Sequence, residues 1–446
     1  MILSFVELSE AAHYGAGILF ALLPGVVWGL LECLLVVGSV YVGKRMSCVG
    51  ADAVLLIALV LFSCRYLSPS HLEQGMNPQQ IYGRAKTAFL ATGYCFGHEI
   101  PYNLFNLSMV PKYRNSVPKK ISEPLVKNVI LIMGESATSG HAGVFGYSRD
   151  TTPFLADVVK NKKGTVLPCY SAATMTVVSL PFFFNCIHRP NAQEQISSAE
   201  TNIFRLAKEQ GFETYWVSAQ ARNQMAMMAS VGKRYIDVVR FPDSYGYDVT
   251  ENIPDKNLRT YFNELAIVEQ KNNLVVLHQR GSHGPYGELL TEKEKQVFGE
   301  KTICDRYDNT IFMTDALIEG IYDDLCKSGL NDWVLIYTSD HGQYVTGNVA
   351  NQNTSQEDCY MVPLAVMPSP TLDIGDVISE ELGNSTTSHY RVGCLIMRLL
   401  GYDSGKNKSD EVFVTRSQIT GDAGFFHIKN GVAKFITPEK LQNYER

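Results

Sequence analysis

A chain of 446 residues with 46% hydrophobic and 19% charged side chains is too apolar for a disordered or fibrous protein and long enough for two or three domains. Its formal net charge of −6 excludes the large basic surface that nucleic-acid binding requires, so no nucleic-acid partner is expected. The apolar residues are unevenly placed, and that unevenness divides the chain.

From Leu19 to Tyr41 the sequence reads LFALLPGVVWGLLECLLVVGSVY, in which Glu32 is the only charge and Pro24 marks a kink. This length suits one crossing of a bilayer, and Ala51 to Leu67 is just long enough for a second. Lys44 and Arg45, between the two runs, are cytoplasmic by the positive-inside rule, which delivers the rest of the chain to the opposite side. Residues 1–67 therefore read as a transmembrane anchor. Residues 68–125 carry Tyr94, Phe96, Tyr102 and Phe105 followed by a Lys- and Pro-containing run, and read as an interfacial helix and linker. Residues 126–446 form the soluble body, facing an oxidising compartment where disulfides are permissible. Its six cysteines allow fifteen full pairings, and Cys169 with Cys186 is one candidate bridge.

Within the body, short apolar runs alternate with segments of helical periodicity. The runs are VILIM (129–133), TYWVS (214–218), LVVLH (274–278), WVLIY (333–337) and VPLAV (362–366), and the helical segments include 200–210 and 307–328. Continuous apolar runs of this length are the mark of strands covered on both faces, so a doubly wound, mostly parallel α/β sheet is expected.

Ligands in such sheets bind beyond the carboxyl ends of the strands. The first run leads into Gly134 and Glu135, the third into His278 and then His283 within GSHGP, and the fourth into Asp340 and His341 within TSDHG. Glu135, Asp340 and His341 are oxygen and nitrogen donors suited to a zinc ion with an open coordination position. Between 171 and 181, small and hydroxyl residues dominate. A helix beginning near Thr176 places its hydroxyl at the positive end of the macrodipole, although on this stretch alone a threonine cap is the preferred reading.

Four pieces of sequence then act together: GESATSGHAGVFGYSRDTTPFL (134–155), T-x-T-x-x-S-x-P (174–181), HQRGSHGPY (278–286) with YDN (307–309), and SDHG (339–342). In these pieces the chain, from about 128 to about 402, resembles the phosphoethanolamine transferases of Gram-negative envelopes, members of the alkaline phosphatase and sulfatase superfamily. The resemblance implies a sulfatase-like catalytic domain facing the periplasm from the bacterial inner membrane. It implies one zinc ion held by Glu135, Asp340, His341 and the nucleophile Thr176, with room for a second ion during turnover. His283 and His278 would balance charge or donate a proton, and Thr174 and Gln343 would contact substrate. Phosphatidylethanolamine would be the donor, diacylglycerol the leaving group, and an envelope glycolipid (lipopolysaccharide core or lipid A) the acceptor of the phospho-threonine intermediate.

The chain departs from that pattern in three places. Lipid A-modifying relatives follow DHGE with G-x-x-x-HG, whereas DHGQYVTGNVANQNTSQED has no histidine before His389, which leaves Asn351 or Asn353 to hydrogen-bond the substrate. Relatives often have cysteines near the positions of Ala172 and Phe182. They also typically have about five spans against the two found here, so the anchor is reduced or the start truncated. Two other readings are a phosphoglycerol transferase of the same superfamily and a non-catalytic membrane-anchored binding protein of the same fold. A type I sulfatase is excluded by the lack of C/S-x-P-x-R at the nucleophile.

Overall fold

The computed structural model describes Ser108 and residues 110–441 other than 266, 268–270 and 404–410. The two expected membrane spans and most of the 68–125 segment lie outside the described residues. Among the described residues no helix is long and apolar enough to cross a membrane. Lys119 and Lys120 pair with Asp403 and Tyr402.

In chain order the main elements are β1 (Asn128–Gly134), α1 (Pro153–Lys160), β2 (Thr165–Tyr170), α2 (Thr176–Phe184), α3 (Ile203–Glu209), β3 (Phe212–Ser218), β4 (Val238–Arg240), α4 (Asn257–Asn263), β5 (Asn272–His278), α5 (Ile303–Lys327), β6 (Trp333–Ser339), β7 (Met361–Pro368), α6 (Gly375–Leu382), β8 (Thr387–Ser388) and α7 (His389–Leu399). Strands β1 to β8 form one sheet in the order β8-β2-β7-β6-β1-β5-β3-β4. The run NVILIMG of β1 is buried throughout because its two faces enter different cores. Val129, Leu131 and Met133 pack with α2, α3 and α7, while Ile130 and Ile132 pack with α1, α4 and α5. Successive side chains of a strand point to opposite faces, so an unbroken apolar run is what a sheet with a layer on each side selects.

The five apolar runs are all strands of this sheet, and β1, β3, β5 and β6 are mutually parallel where they pair. The expectation of a mostly parallel sheet is modified at β7, which is antiparallel to both β6 and β2. No crossover helix intervenes between β6 and β7. The chain returns through a small hairpin (Tyr344–Thr346 with Val349–Asn351) and a single 3-10 turn, so the next strand must run back. Strand β2 carries Pro168 and is half-buried over its first four residues, which hides it from a search for apolar runs.

A second, three-stranded antiparallel sheet follows: β9 (Val412–Thr415), β10 (Phe425–Lys429) and β11 (Val432–Ile436). The Thr415 N–H donates to Ala172 O (3.0 Å) and the Thr174 N–H to Thr415 O (3.0 Å), which fixes this sheet against the loop before α2.

The Cys169–Cys186 bridge is not formed, and none of the six cysteines among the described residues is in a disulfide. Cys169 sits near the carboxyl end of β2, whereas Cys186 follows the nine-residue helix α2. At the usual rise, that helix carries the chain about 14 Å away from its start. Both thiols are buried in the same apolar core, and burial pushes each well above the ordinary range.

Candidate metal and nucleophile centre

Two strand ends and one helix start converge at the carboxyl edge of the sheet. Glu135 follows β1, and Asp340 and His341 follow β6, its parallel neighbour. Their ligand atoms all lie within 4.8 Å of one another, and all three residues are buried. The turn after β1 depends on Ser136, which adopts φ 59°, a left-handed conformation that costs a non-glycine residue energy. There its N–H reaches Asp340 Oδ1 (3.1 Å) and its hydroxyl reaches Glu135 Oε1 (2.8 Å). Asp340 Oδ1 also accepts from the His341 N–H (2.7 Å). Asp340 Oδ2 is buried with no hydrogen-bond partner of good geometry.

Thr176 is the first residue of α2, and the cap position belongs to Met175, which makes no side-chain cap bond. The cap role that the sequence allowed for Thr176 is thus set aside. Its Oγ1 lies 3.1 and 3.3 Å from the two Glu135 carboxylate oxygens and 3.2 Å from His341 Nε2. A hydroxyl at a helix start, among metal-type ligands, occupies the place where a deprotonated oxygen is most stabilised. Helix α2 is tied to the cluster one turn later, where the Ser179 hydroxyl donates to Asp340 O.

The ionisable groups of this cluster perturb one another strongly. Burial, and then the charge of Glu135, push the Asp340 carboxyl up to about 7. Burial would raise Glu135 as well, but the hydrogen bond and charge of His341 hold it well below the carboxylate range. Burial would lower His341, yet Asp340 and Glu135 outweigh it and drive its pKa up to about 10. Two carboxylates and an imidazole sharing one dry pocket, with one carboxylate oxygen unsatisfied, make a donor set that fits a divalent ion such as zinc.

The other expected site residues fall in different settings. His278 ends β5, fully buried against Trp216 at 5.0 Å between ring centres. Ser218 Oγ lies 2.9 Å from its Nδ1, its Nε2 has no hydrogen-bond partner, and burial lowers its pKa to about 4. His283 is exposed on the loop after β5, with Nδ1 2.6 Å from Gly284 O, so Nδ1 carries the proton and Nε2 is left as an acceptor. Thr174 is buried and donates to Asn353 Oδ1 (2.7 Å). Gln343 is half-buried beside the hairpin, and no hydrogen bond among the described residues ties it to the cluster.

Several groups at the centre carried no sequence signal. Gln220, just beyond β3, donates to Glu135 Oε2 (3.1 Å), and Gln352 Nε2 lies 3.1 Å from His341 Nε2. Arg416, at the end of β9, holds Asn353 through its side-chain oxygen (3.2 Å) and its carbonyl (2.8 Å). The loop lacking a histidine is therefore anchored by a cation that arrives from the C-terminal sheet. Beyond Glu135, much of the most specific sequence piece is braced by Asp308. The Asp308 carboxylate engages His141 (2.7 Å), Tyr147 (3.0 Å) and Arg149 (2.7 Å). His141 Nε2 meets Val345 O at 2.9 Å. His141, Cys304 and Asp308 lie close enough together to suggest a second metal site, but Asp308 and His141 have their polar atoms committed. The Tyr307 hydroxyl, from YDN, donates to Ser136 O (2.7 Å) and accepts from the Thr138 N–H (3.0 Å), clamping the turn that carries Glu135.

Gly281 shows how closely the loop after β5 rests on this turn. It adopts φ 55°, and a Cβ there would stand 2.7 Å from Glu135 O and 2.9 Å from Glu135 N. Gly281→Ala is expected to lower stability by about 2 kcal/mol or more and to displace Glu135. Thermal unfolding checks the first effect and metal content the second. A normal melting point with full metal content would refute the prediction.

Comparison with known proteins gives the family and the fold. The sulfatase family model matches residues 127–391. The phosphoethanolamine transferase EptA of Helicobacter pylori is 26% identical over 269 residues, which is 56% of this chain and 47% of that protein. The phosphoethanolamine transferase OpgE of Escherichia coli is 31% identical over 224 residues, 49% of this chain and 40% of that protein. The chain thus spans about half the length of the curated relatives it matches. The crystal structure of the C-terminal periplasmic domain of EcEptC from Escherichia coli, in complex with Zn, superposes with a TM-score of 0.54 at 18% identity. That match covers 74% of this chain and 97% of the domain.

Proposed function

The chain belongs to the sulfatase family, and on that premise we propose that it is a zinc-dependent phosphoethanolamine transferase of the bacterial inner membrane. Its donor is phosphatidylethanolamine and its acceptor an envelope glycolipid, lipopolysaccharide core or lipid A. The observation that carries this reading is Thr176 Oγ1 at a helix start, 3.1 to 3.3 Å from Glu135 and His341. The phosphoethanolamine transferases among its relatives point the same way, and so does the Zn complex of the EcEptC domain.

Glu135, Asp340, His341 and Thr176 Oγ1 would hold the zinc. The chemistry that zinc supplies when bound is to lower the pKa of a hydroxyl and to offset negative charge on phosphate. Thr176 then attacks the phosphorus of the donor, and the ester bond to diacylglycerol breaks as that oxygen takes up a proton. Phosphoethanolamine rests on Thr176 until an acceptor oxygen attacks the same phosphorus and releases the threonine. His283, with Nε2 free to accept, is placed to take the proton of the incoming acceptor. The buried His278, whose Nε2 has no hydrogen-bond partner, would act on the phosphate from beneath, and Thr174, steadied by Asn353 and Arg416, lines the approach to Thr176. Gln343 is retained as a substrate contact on the resemblance alone. Residues 1–67 are the proposed anchor and 68–125 the interfacial linker.

Incubating the protein with phosphatidylethanolamine or phosphatidylglycerol, each labelled in the head group, and then measuring the mass of the Thr176 peptide tests this reading. Phosphoethanolamine on Thr176 is expected. A phosphoglycerol adduct would favour the phosphoglycerol transferase reading, and no adduct from either lipid would leave the non-catalytic reading.

A further inference from the structure

Beside the Glu135–Asp340–His341 cluster lies a solvent-open cleft, bounded by the loop after β5, the segment before α4 and the middle of α5. Its inner wall is the same stretch of backbone that rests on Glu135, where the Ser282 N–H donates to Glu135 O (2.9 Å). Apolar side chains, among them Pro254, Leu290 and Met313, form part of its lining, and His283 stands at its rim. Arg280 also lines it and is only 9% exposed.

Arg280 is incompletely paired. One terminal nitrogen donates to Gly284 O (2.9 Å), and the other, Nη1, is buried with no hydrogen-bond partner. The nearby carboxylates do not answer it. Asp255 receives the Arg280 main-chain N–H (2.6 Å) and the Gly281 N–H (2.8 Å), so it holds the loop backbone and not the guanidinium. Glu294 is paired with Lys256 (3.1 Å). Glu288 is exposed and acts on Arg280 through space, as do Asp255 and Glu135. An arginine stays charged in proteins, and a charged N–H removed from water without an acceptor is costly enough to call for an explanation.

We propose that this cleft is the acceptor subsite and that Arg280 binds an anionic oxygen of the acceptor, a phosphate monoester or a carboxylate on the sugar. The inference rests on the transferase reading above and sharpens it by naming the acceptor chemistry. The guanidinium pairs with an oxyanion better than with any neutral group. The acceptor held there lies alongside His283, the group placed to receive its proton. A neutral sugar offers Nη1 only a hydroxyl oxygen, a weaker acceptor than an oxyanion.

The test has a binding arm and a kinetic arm. Calorimetry on the zinc-loaded full chain compares glucose 1-phosphate, glucuronate and methyl glucoside. The expected result is binding of a charged sugar over the neutral one, weakened about tenfold or more in Arg280→Gln and partly restored in Arg280→Lys. Whether glucose 1-phosphate or glucuronate binds more tightly identifies the anion. In the kinetic arm the KM for the charged acceptor rises in Arg280→Gln by a similar factor. Equal binding of all three sugars, unchanged binding in Arg280→Gln, or an equal fall in both half-reactions would each overturn the proposal, the last by assigning Arg280 a purely structural role. Absence of phosphoethanolamine on Thr176 in the unaltered protein strikes instead at the transferase reading, so the two failures are distinct.

Discussion

Thr176→Ala is expected to reduce phosphoethanolamine transfer by about 1,000-fold or more while leaving the fold intact, because the side chain is chemically central and structurally peripheral. Its hydroxyl makes no cap bond for α2, and its side-chain hydrogen bonds run to the cluster residues Glu135, His341 and Asp340. Removing the hydroxyl therefore unties nothing that the helix needs, and the melting temperature should move little. Thr176→Ser keeps an oxygen in the same place and should retain measurable transfer. The decisive readout is the adduct itself: after incubation with phosphatidylethanolamine, the peptide carrying position 176 gains the mass of one phosphoethanolamine in the native protein and in the serine variant, but not in the alanine variant. Transfer that survives in Thr176→Ala at more than a tenth of the native rate would remove Thr176 from the mechanism.

The parts of this centre that could be read in the sequence are those set by strand ends. Glu135, Asp340 and His341 each follow an apolar run, and once those runs are strands of one parallel sheet their carboxyl ends share an edge. The direction of β7 was not readable from its own residues, since an apolar run has the same composition in either direction. The lack of a crossover helix before it decides. Gln220, Gln352 and Arg416 were hidden for a different reason. They lie on loops or at the edge of the C-terminal sheet, and only tertiary closure brings them to Glu135, His341 and Asn353. The signature at 134–155 carries Glu135 and, beyond it, Tyr147 and Arg149, which both contact Asp308.

Asp340→Asn is the second large effect, and its value lies in separating metal binding from folding. Asp340 Oδ1 accepts two main-chain N–H groups, from Ser136 (3.1 Å) and His341 (2.7 Å). An asparagine must keep its carbonyl oxygen on those donors, which turns its NH2 group toward the place of the unpartnered Oδ2. An amide nitrogen is a donor and cannot coordinate a metal. Zinc affinity should fall about 100-fold or more, since even residues one step removed from a metal change affinity by about 10–100-fold, and transfer should fall with it. Stability should respond the other way. Burial, and then the charge of Glu135, push Asp340 up to about 7, so its ionised form is disfavoured in the folded state. A group with a raised folded-state pKa contributes stability below its unfolded value, which is lost as pH climbs through the folded one. At pH 8 the metal-free native protein therefore bears this cost in full, and the neutral asparagine does not. Metal-free Asp340→Asn should melt no lower than the metal-free native protein at pH 8, and added zinc should raise the melting point of the native protein alone. If the variant melts several degrees lower without metal, Asp340 is a structural residue first; if zinc stabilises both equally, the ion is held elsewhere.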